Sequence, residues 1–167
     1  LSYHRSGDQK YWELALESAR WHARVFGGNK DGAKSRFFVE MQHHVAEQNA
    51  INPLLIKAAK ELSLPLICDN DSHFLRAEDH DAHDTLICIS TGKGKNDPDR
   101  MRYTPELYVK TPEQMQKLFE PYGEAGREAF ENAKLVSGRC NVDLPMGENN
   151  SPAVHIVLPD EARLPRH

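Results

Sequence analysis

The sequence predicts an α/β fold with parallel strands, followed by a small helical segment. Two short apolar runs, residues 37–41 and 64–68, read as strands. Each is set between stretches of helical periodicity, and the order helix, strand, helix, strand, helix is that of βα repeats with a parallel sheet. A proline-initiated helix start near Thr111 then opens a region with no further strong strand signal.

Residues 8–26 come first. Trp12, Ala15, Leu16, Ala19, Ala23 and Phe26 recur at three- and four-residue steps, and Gly27-Gly28 ends the run. A polar, glycine-bearing loop leads to Phe37-Phe38-Val39-Glu40-Met41, which is followed by Gln42-His43-His44. From Glu47 to Leu62 the residues Ile51, Leu54, Leu55, Ala58, Ala59 and Leu62 share one face, a helix in which Pro53 is tolerable only near the first turn. The strand at 64–68 exits into the most informative stretch of the chain, DNDSHFLRAEDHDAHD, residues 69–84.

Hard oxygen and imidazole ligands at a strand exit suggest a metal site. If the backbone stays extended, Asp71 and His73 point the same way, roughly 7 Å apart, and can converge on one ion. The alternative is a local turn beside a surface imidazole. Right-handed crossovers place the ends of both strands on one rim, so Gln42, His43 and His44 lie beside Asp71 and His73. His44 is then a candidate ligand or phosphate contact; a surface ring and a backbone-bonded ring are the other reading of the pair. His80, Asp81, His83 and Asp84 read as a solvated helix start with acids at the positive end of its dipole.

Gly92 to Asp99 is a loop that lacks the strand and helix context of a nucleotide cradle. Tyr103 to Val109 reads as an extended piece. Thr111-Pro112-Glu113-Gln114 has a capping-box pattern, with Met115, Leu118 and Phe119 as the buried stripe of its helix. A further helix at 124–138 carries Ala125, Ala129, Ala133, Leu135 and Val136, and the tail from Asn141 holds a lone apolar run, Val154 to Leu158. The division is an α/β unit at 1–92, a helical extension at 93–140 and a linker or tail at 141–167.

The 167 residues carry a formal charge of −4, which argues against a surface that holds nucleic acid chiefly by phosphate neutralisation. No apolar run is long enough to span a membrane, and the first residues lack a secretory signal. Cys68, Cys88 and Cys140 fit neither a disulfide framework nor a zinc knuckle, so reduced thiols in a cytoplasmic protein are expected. Leu1 in place of an initiator Met leads to the expectation of an excised piece with unpaired strand edges and a tendency to self-associate.

The segments FFVEMQHH, PLICDNDSHFLRAEDHDAHDTLICISTGK, NDPDRMRY, LYVKTPEQMQKLF and NAKLVSGRCNVDLP occur in order over about residues 10 to 147. Together they resemble the bacterial DNA polymerase III alpha-subunit family, in the later part of its polymerase-and-histidinol-phosphatase domain and the passage toward the palm. The resemblance implies a partial (β/α)7-type barrel whose mouth holds a divalent metal cluster of Zn, Mn or Mg. It carries Asp71 and His73 over as ligands, and places Glu40, Gln42 and His44 at the same mouth. Val45 stands where the family often has Gly.

The family's H-x-H and other early ligands, and the palm aspartates of nucleotide addition, fall outside the matching segments. No catalytic residue is therefore assigned within this chain, and it is expected to be inactive alone. The implied partners are the rest of the alpha subunit, DNA and replisome accessory subunits. The implied activity of the intact protein is nucleotidyl transfer in DNA replication, with a metal-dependent 3′-5′ exonuclease. Two alternatives are a non-catalytic scaffold and a free-standing metal-dependent phosphoesterase.

Overall fold

A computed structural model describes residues 1–142. Residues Leu1–Ser137 form one compact unit. Its elements are α1 (Ser2–Ser6), α2 (Gln9–Phe26), β1 (Val39–Met41), α3 (Ala46–Leu62), β2 (Leu66–Cys68), α4 (His80–Thr91), α5 (Pro112–Phe119) and α6 (Glu124–Arg139), with 3-10 turns at Ala77–Asp79 and Glu120–Tyr122. The helix at 2–6 has no counterpart in the sequence reading. The apolar run Val154 to Leu158 lies outside the described residues.

α2 starts on Asp8, whose side chain accepts from the Lys10 backbone N–H, and stops on Gly27 at φ 79°, a left-handed conformation that a Cβ would strain. Trp12 and Leu16 are buried along it, but Phe26, its last residue, is exposed. The loop into β1 is organised by the buried Ser35. Its Oγ donates to the Phe37 carbonyl at 2.6 Å and accepts from the Asn29 N–H at 3.1 Å.

β1 and β2 pair in parallel, with Val39 opposite Leu66, Glu40 opposite Ile67 and Met41 opposite Cys68. Both strands are shorter than the apolar runs that announce them. At 37–38 the chain has not reached the neighbouring strand, and Leu64 is still closing α3 through its N–H to Ala59. The α/β class and the parallel pairing hold. The described residues form a two-stranded sheet and no closed barrel.

Alternation divides the strands cleanly. Met41, Leu66 and Cys68 face a core shared with Ala59 of α3 and with Phe119, Ala125 and Ala129 of the α5–α6 hairpin. Burying a side chain such as Phe119 or Leu66 stabilises the fold by about 1.5–3 kcal/mol each. Glu40 and Ile67 fall on the other face. The outer edge of β2 is met by α6, where Glu128 Oε1 accepts from the Leu66 N–H at 3.0 Å and Asn132 Nδ2 donates to the Leu66 carbonyl at 2.8 Å. These two side chains, four residues apart, take the place of a neighbouring strand.

Pro53 lies in the interior of α3 rather than near its first turn. The helix runs through it, and the adjacent Asn52 supplies a tertiary anchor. This fully buried amide donates to the Gln42 carbonyl and to Tyr122 Oη, each at 2.9 Å. At the start of α3, Val45 has no acceptor to offer. Gln48 Oε1 accepts from the N–H groups of His44 at 3.0 Å and Val45 at 3.3 Å, the glutamine half of a capping box. α5 has both halves: Thr111 N–H to Gln114 Oε1 at 2.8 Å, and Gln114 N–H to Thr111 Oγ1 at 3.3 Å.

Candidate metal centre at the strand ends

Glu40 and Ile67 lie on the face of the ladder away from the core, and beyond the strand ends the side chains of Gln42, His44, Asp69 and Asp71 gather near Glu40. Gln42 Nε2 donates to Glu40 Oε1 at 2.7 Å and to Asp69 Oδ1 at 2.9 Å. Its own Oε1 accepts from Gln48 Nε2 at 2.6 Å. The amide thus holds two carboxylates close together. Burial and the neighbouring Asp69 charge raise the pKa of Glu40 above its ordinary value.

His44 continues this row. Its side chain is 10% exposed, and Nε2 lies 3.9 Å from Asp71 Oδ2. Gln48 Nε2, 3.1 Å away, can only donate, so Nε2 is the acceptor nitrogen and neutral His44 carries its proton on Nδ1. Nδ1 is buried and finds no hydrogen-bond partner among the described residues. Burial pushes the imidazole pKa down against the opposing pull of Asp71. The other oxygen of Asp71, Oδ1, lies 3.4 Å from His73 Nε2.

Asp71 therefore stands between two imidazoles from two different loops, as the shared-rim argument expects. The route differs from the expected strand alternation. β2 ends at Cys68, and Asp71 adopts φ 24°, an uncommon value for a residue with a Cβ, so a turn rather than extended chain aims its carboxylate. His73 is then fixed from outside the sheet: its N–H bonds the Leu107 carbonyl at 2.8 Å, and Phe74 pairs with Tyr108 in an isolated parallel bridge. The extended piece expected at 103–109 is this strap.

Other histidines separate by role. The His43 ring packs against Phe119 and Tyr122, with centroids 6.2 and 6.4 Å away, and takes no part in the cluster. His80 Nε2 lies 3.1 Å from the Tyr103 carbonyl. His83 is not solvated as the helix-start reading expects: its ring lies 5.8 Å from His73, 5.2 Å from Phe74 and 5.4 Å from Tyr103, and its Nδ1 is buried. Nor are the acids simply dipole-facing. Asp84 receives Arg100 in a two-pronged ion pair at 2.5 and 2.7 Å, which holds its pKa down, and Asp81 pairs with Lys95 at 2.6 Å.

Sequence reasoning missed Gln48, Tyr103 and Lys110, and it placed Asp69 and His83 in the 69–84 stretch without assigning either as a ligand. Asp69 was legible, since it directly follows the core-facing Cys68 and so leaves β2 toward the opposite face. The others come from the first turns of α3 and α4 and from the strap and its exit, where no local pattern points to the site.

The donor set fits a metal pairwise. Two ligands on a tetrahedral zinc at roughly 2.0–2.1 Å lie about 3.4 Å apart, close to the separations around Asp71. Among the described residues, however, no group of three or more His, Cys, Asp or Glu is gathered tightly enough to hold an ion. Cys68 contributes none: it is buried, and burial pushes its thiol up to about 12. No described helix is long and apolar enough to cross a membrane.

No family model matches the chain. Among curated proteins, it is 36% identical over 166 residues to the DNA polymerase III subunit alpha of Campylobacter jejuni, an alignment covering 92% of this chain and 13% of that protein. It is 40% identical over 115 residues to that of Thermus aquaticus, covering 68% of the chain and 9% of the relative. The Helicobacter pylori subunit is 33% identical over 156 residues, covering 91% and 12%. The chain thus spans about an eighth of the length of such relatives. Similarity of this extent shows that the chain belongs to the bacterial DNA polymerase III alpha-subunit family.

Proposed function

We propose that this chain is the part of a replicative polymerase alpha subunit that supplies Asp71, His73 and His44 to a divalent metal centre of phosphoesterase type, in a (β/α)7-like barrel completed by other parts of the whole protein. The observation that carries the reading is the meeting of two imidazoles on one carboxylate, from loops that follow adjacent parallel strands. Strand ends of this kind are where α/β folds place their ligand sites. A bound metal would supply an activated water and a clamp for a phosphodiester, which is the chemistry of 3′-5′ exonuclease action.

The chain's own groups prepare that setting. Burial favours the neutral form of His44, whose Nε2 faces Asp71 and accepts from Gln48 Nε2. Asp71 lies between the two rings, 3.9 Å from His44 Nε2 and 3.4 Å from His73 Nε2. Gln42 holds Glu40 and Asp69 together and so concentrates negative charge at the opening, which favours a cation. The remaining ligands come from elsewhere in the protein, and nucleotide addition belongs to other parts of it. The whole protein then works on DNA in a replication complex with accessory subunits.

The test is metal content and primer trimming in Mn²⁺ or Zn²⁺ by the full-length protein. Asp71→Ala and His73→Ala are expected to lose bound metal and at least tenfold in trimming; wild-type metal content and rate in both variants would overturn the reading. A second reading is a non-catalytic brace that docks accessory subunits, and the open coordination sphere among the described residues favours it. A full-length protein that carries no metal yet binds its partners would establish that alternative. The names of the relatives disfavour a free-standing phosphoesterase.

A further inference from the structure

From the cation buried behind the site, we infer that Lys110 is a positioning residue that acts through Asn70 to hold Asp71 between His44 and His73. This rests on the proposed reading of that cluster as a ligand site. The Lys110 side chain is only 2% exposed, unusual for a group that is costly to bury without partners. Its ammonium is fully engaged: Nζ donates to Asn70 Oδ1 at 3.3 Å and to the Glu106 carbonyl, pairs with Glu106 Oε2 at 3.3 Å, and lies 4.1 Å from the centre of the Tyr108 ring.

Asn70 is thereby gripped at both ends of its amide. While Oδ1 faces Lys110, Nδ2 donates to the Tyr108 carbonyl at 2.5 Å and to Ser72 Oγ at 3.1 Å. The hydrogen bonds leave a single sensible orientation for the group, since the ammonium needs an acceptor and the carbonyl needs a donor. The next residue is Asp71, whose φ of 24° is unfavourable for any residue with a Cβ and persists only where the surroundings enforce it. On the far side of the turn, His73 and Phe74 are tied to Leu107 and Val109 of the same strap. The turn 70–74 is therefore clamped before and after Asp71, and Lys110 joins the first clamp to the strap.

Ligand-orienting partners of this kind typically account for 10–100-fold in metal affinity. The inference can be tested without metal. Chains with ¹⁵N-labelled histidine are compared at one fixed pH as wild type, Lys110→Met, Asn70→Ala and the double variant. Lys110→Met and Asn70→Ala are each expected to move the ring nitrogen resonances of His44 and His73 and to leave those of His22 on α2 unchanged. In the double variant the shifts are expected to be no larger than in either single one, because the two residues act in series. Glu106→Gln, which keeps an amide beside the ammonium, is expected to leave the rings alone.

Unmoved His44 and His73 rings, or shifts that add in the double variant, would overturn the inference. Asn70→Ala, at a half-buried loop position, decides the matter should Lys110→Met not fold: unmoved rings there overturn it equally. Zn²⁺ is then added to the same samples. A wild-type ring pair that ignores zinc, also in the full-length protein, counts against the proposed metal centre, whereas the metal-free spectra judge Lys110 separately.

Discussion

At the scale of single residues, two titrating groups of the cluster carry opposite signs. His44 has its pKa lowered from 6.5 in the folded chain, so the unfolded chain binds the proton more readily. Its contribution to stability is present above pH 6.5 and is lost as pH falls through the lowered value. Glu40 has its pKa raised from 4.5, so its contribution is present below pH 4.5 and is lost as pH rises through the raised value. Urea unfolding at a series of pH values is expected to show a shallower acid-side loss in His44→Gln, and a shallower loss on the rising side in Glu40→Gln. Identical pH profiles in wild type and both variants would contradict the assignment.

The thiols give a second residue-level prediction. Cys68 and Cys88 are buried and Cys140 is exposed. A maleimide at pH 7.5 is expected to label Cys140 in the native chain and all three cysteines in denaturant. Rapid native labelling of Cys68 would contradict both its burial and its raised pKa. Much of this scale was legible beforehand. D-x-H singled out Asp71 and His73 by their ligand chemistry, strand order put Gln42 and His44 on the same rim, and the family resemblance added Glu40, although a turn at Asp71 rather than strand alternation brings the groups together. Lys110 was not legible, since nothing in its own neighbourhood announces that it reaches back forty positions to Asn70.

At the scale of elements, α5 is the clearest case of a boundary written in sequence: Thr111, Pro112 and Gln114 occupy the positions that sterics and capping demand. Thr111→Ala is expected to destabilise the chain by about 1 kcal/mol in chemical unfolding, and no change would show the cap to be idle. Gly126 in the first turn of α6 is a sharper probe. Helix propensity alone favours Ala over Gly by about 0.8–1 kcal/mol. A Cβ there would nevertheless collide with the carbonyl of Phe119, the last residue of α5, against which the first turn of α6 sits. Gly126→Ala is therefore expected to destabilise, by roughly 1–3 kcal/mol, and a gain in stability would refute the close approach of the Phe119 carbonyl. Pro53 shows the limit of local rules. A proline inside α3 is unfavourable in isolation, yet the helix runs through it, and the buried Asn52 beside it ties the helix to the end of β1.

At the scale of the whole molecule, sequence order predicted parallel strands and a common rim, and both are present. The number of strands was not readable from these residues, because a barrel closes only through pairing partners that a local pattern does not specify. Along β1, the groups of Val39 and Met41 turn toward β2, so those of Glu40 turn outward. An uncovered strand edge invites pairing with another chain. Light scattering on this chain is accordingly expected to show species larger than a monomer, and a clean monomer at high concentration would refute that.

The two flanks of the sheet are not equivalent. Glu128 and Asn132 imitate a strand along β2, so a newcomer on that flank would first have to evict α6, whereas among the described residues none bonds the outward backbone groups of Glu40. Growth of the sheet is thereby given a direction, with α6 as its doorstop. Hydrogen exchange reads this out: the Leu66 amide is expected to become faster when Glu128→Ala removes its acceptor, while the Ile67 amide, facing β1, keeps its rate.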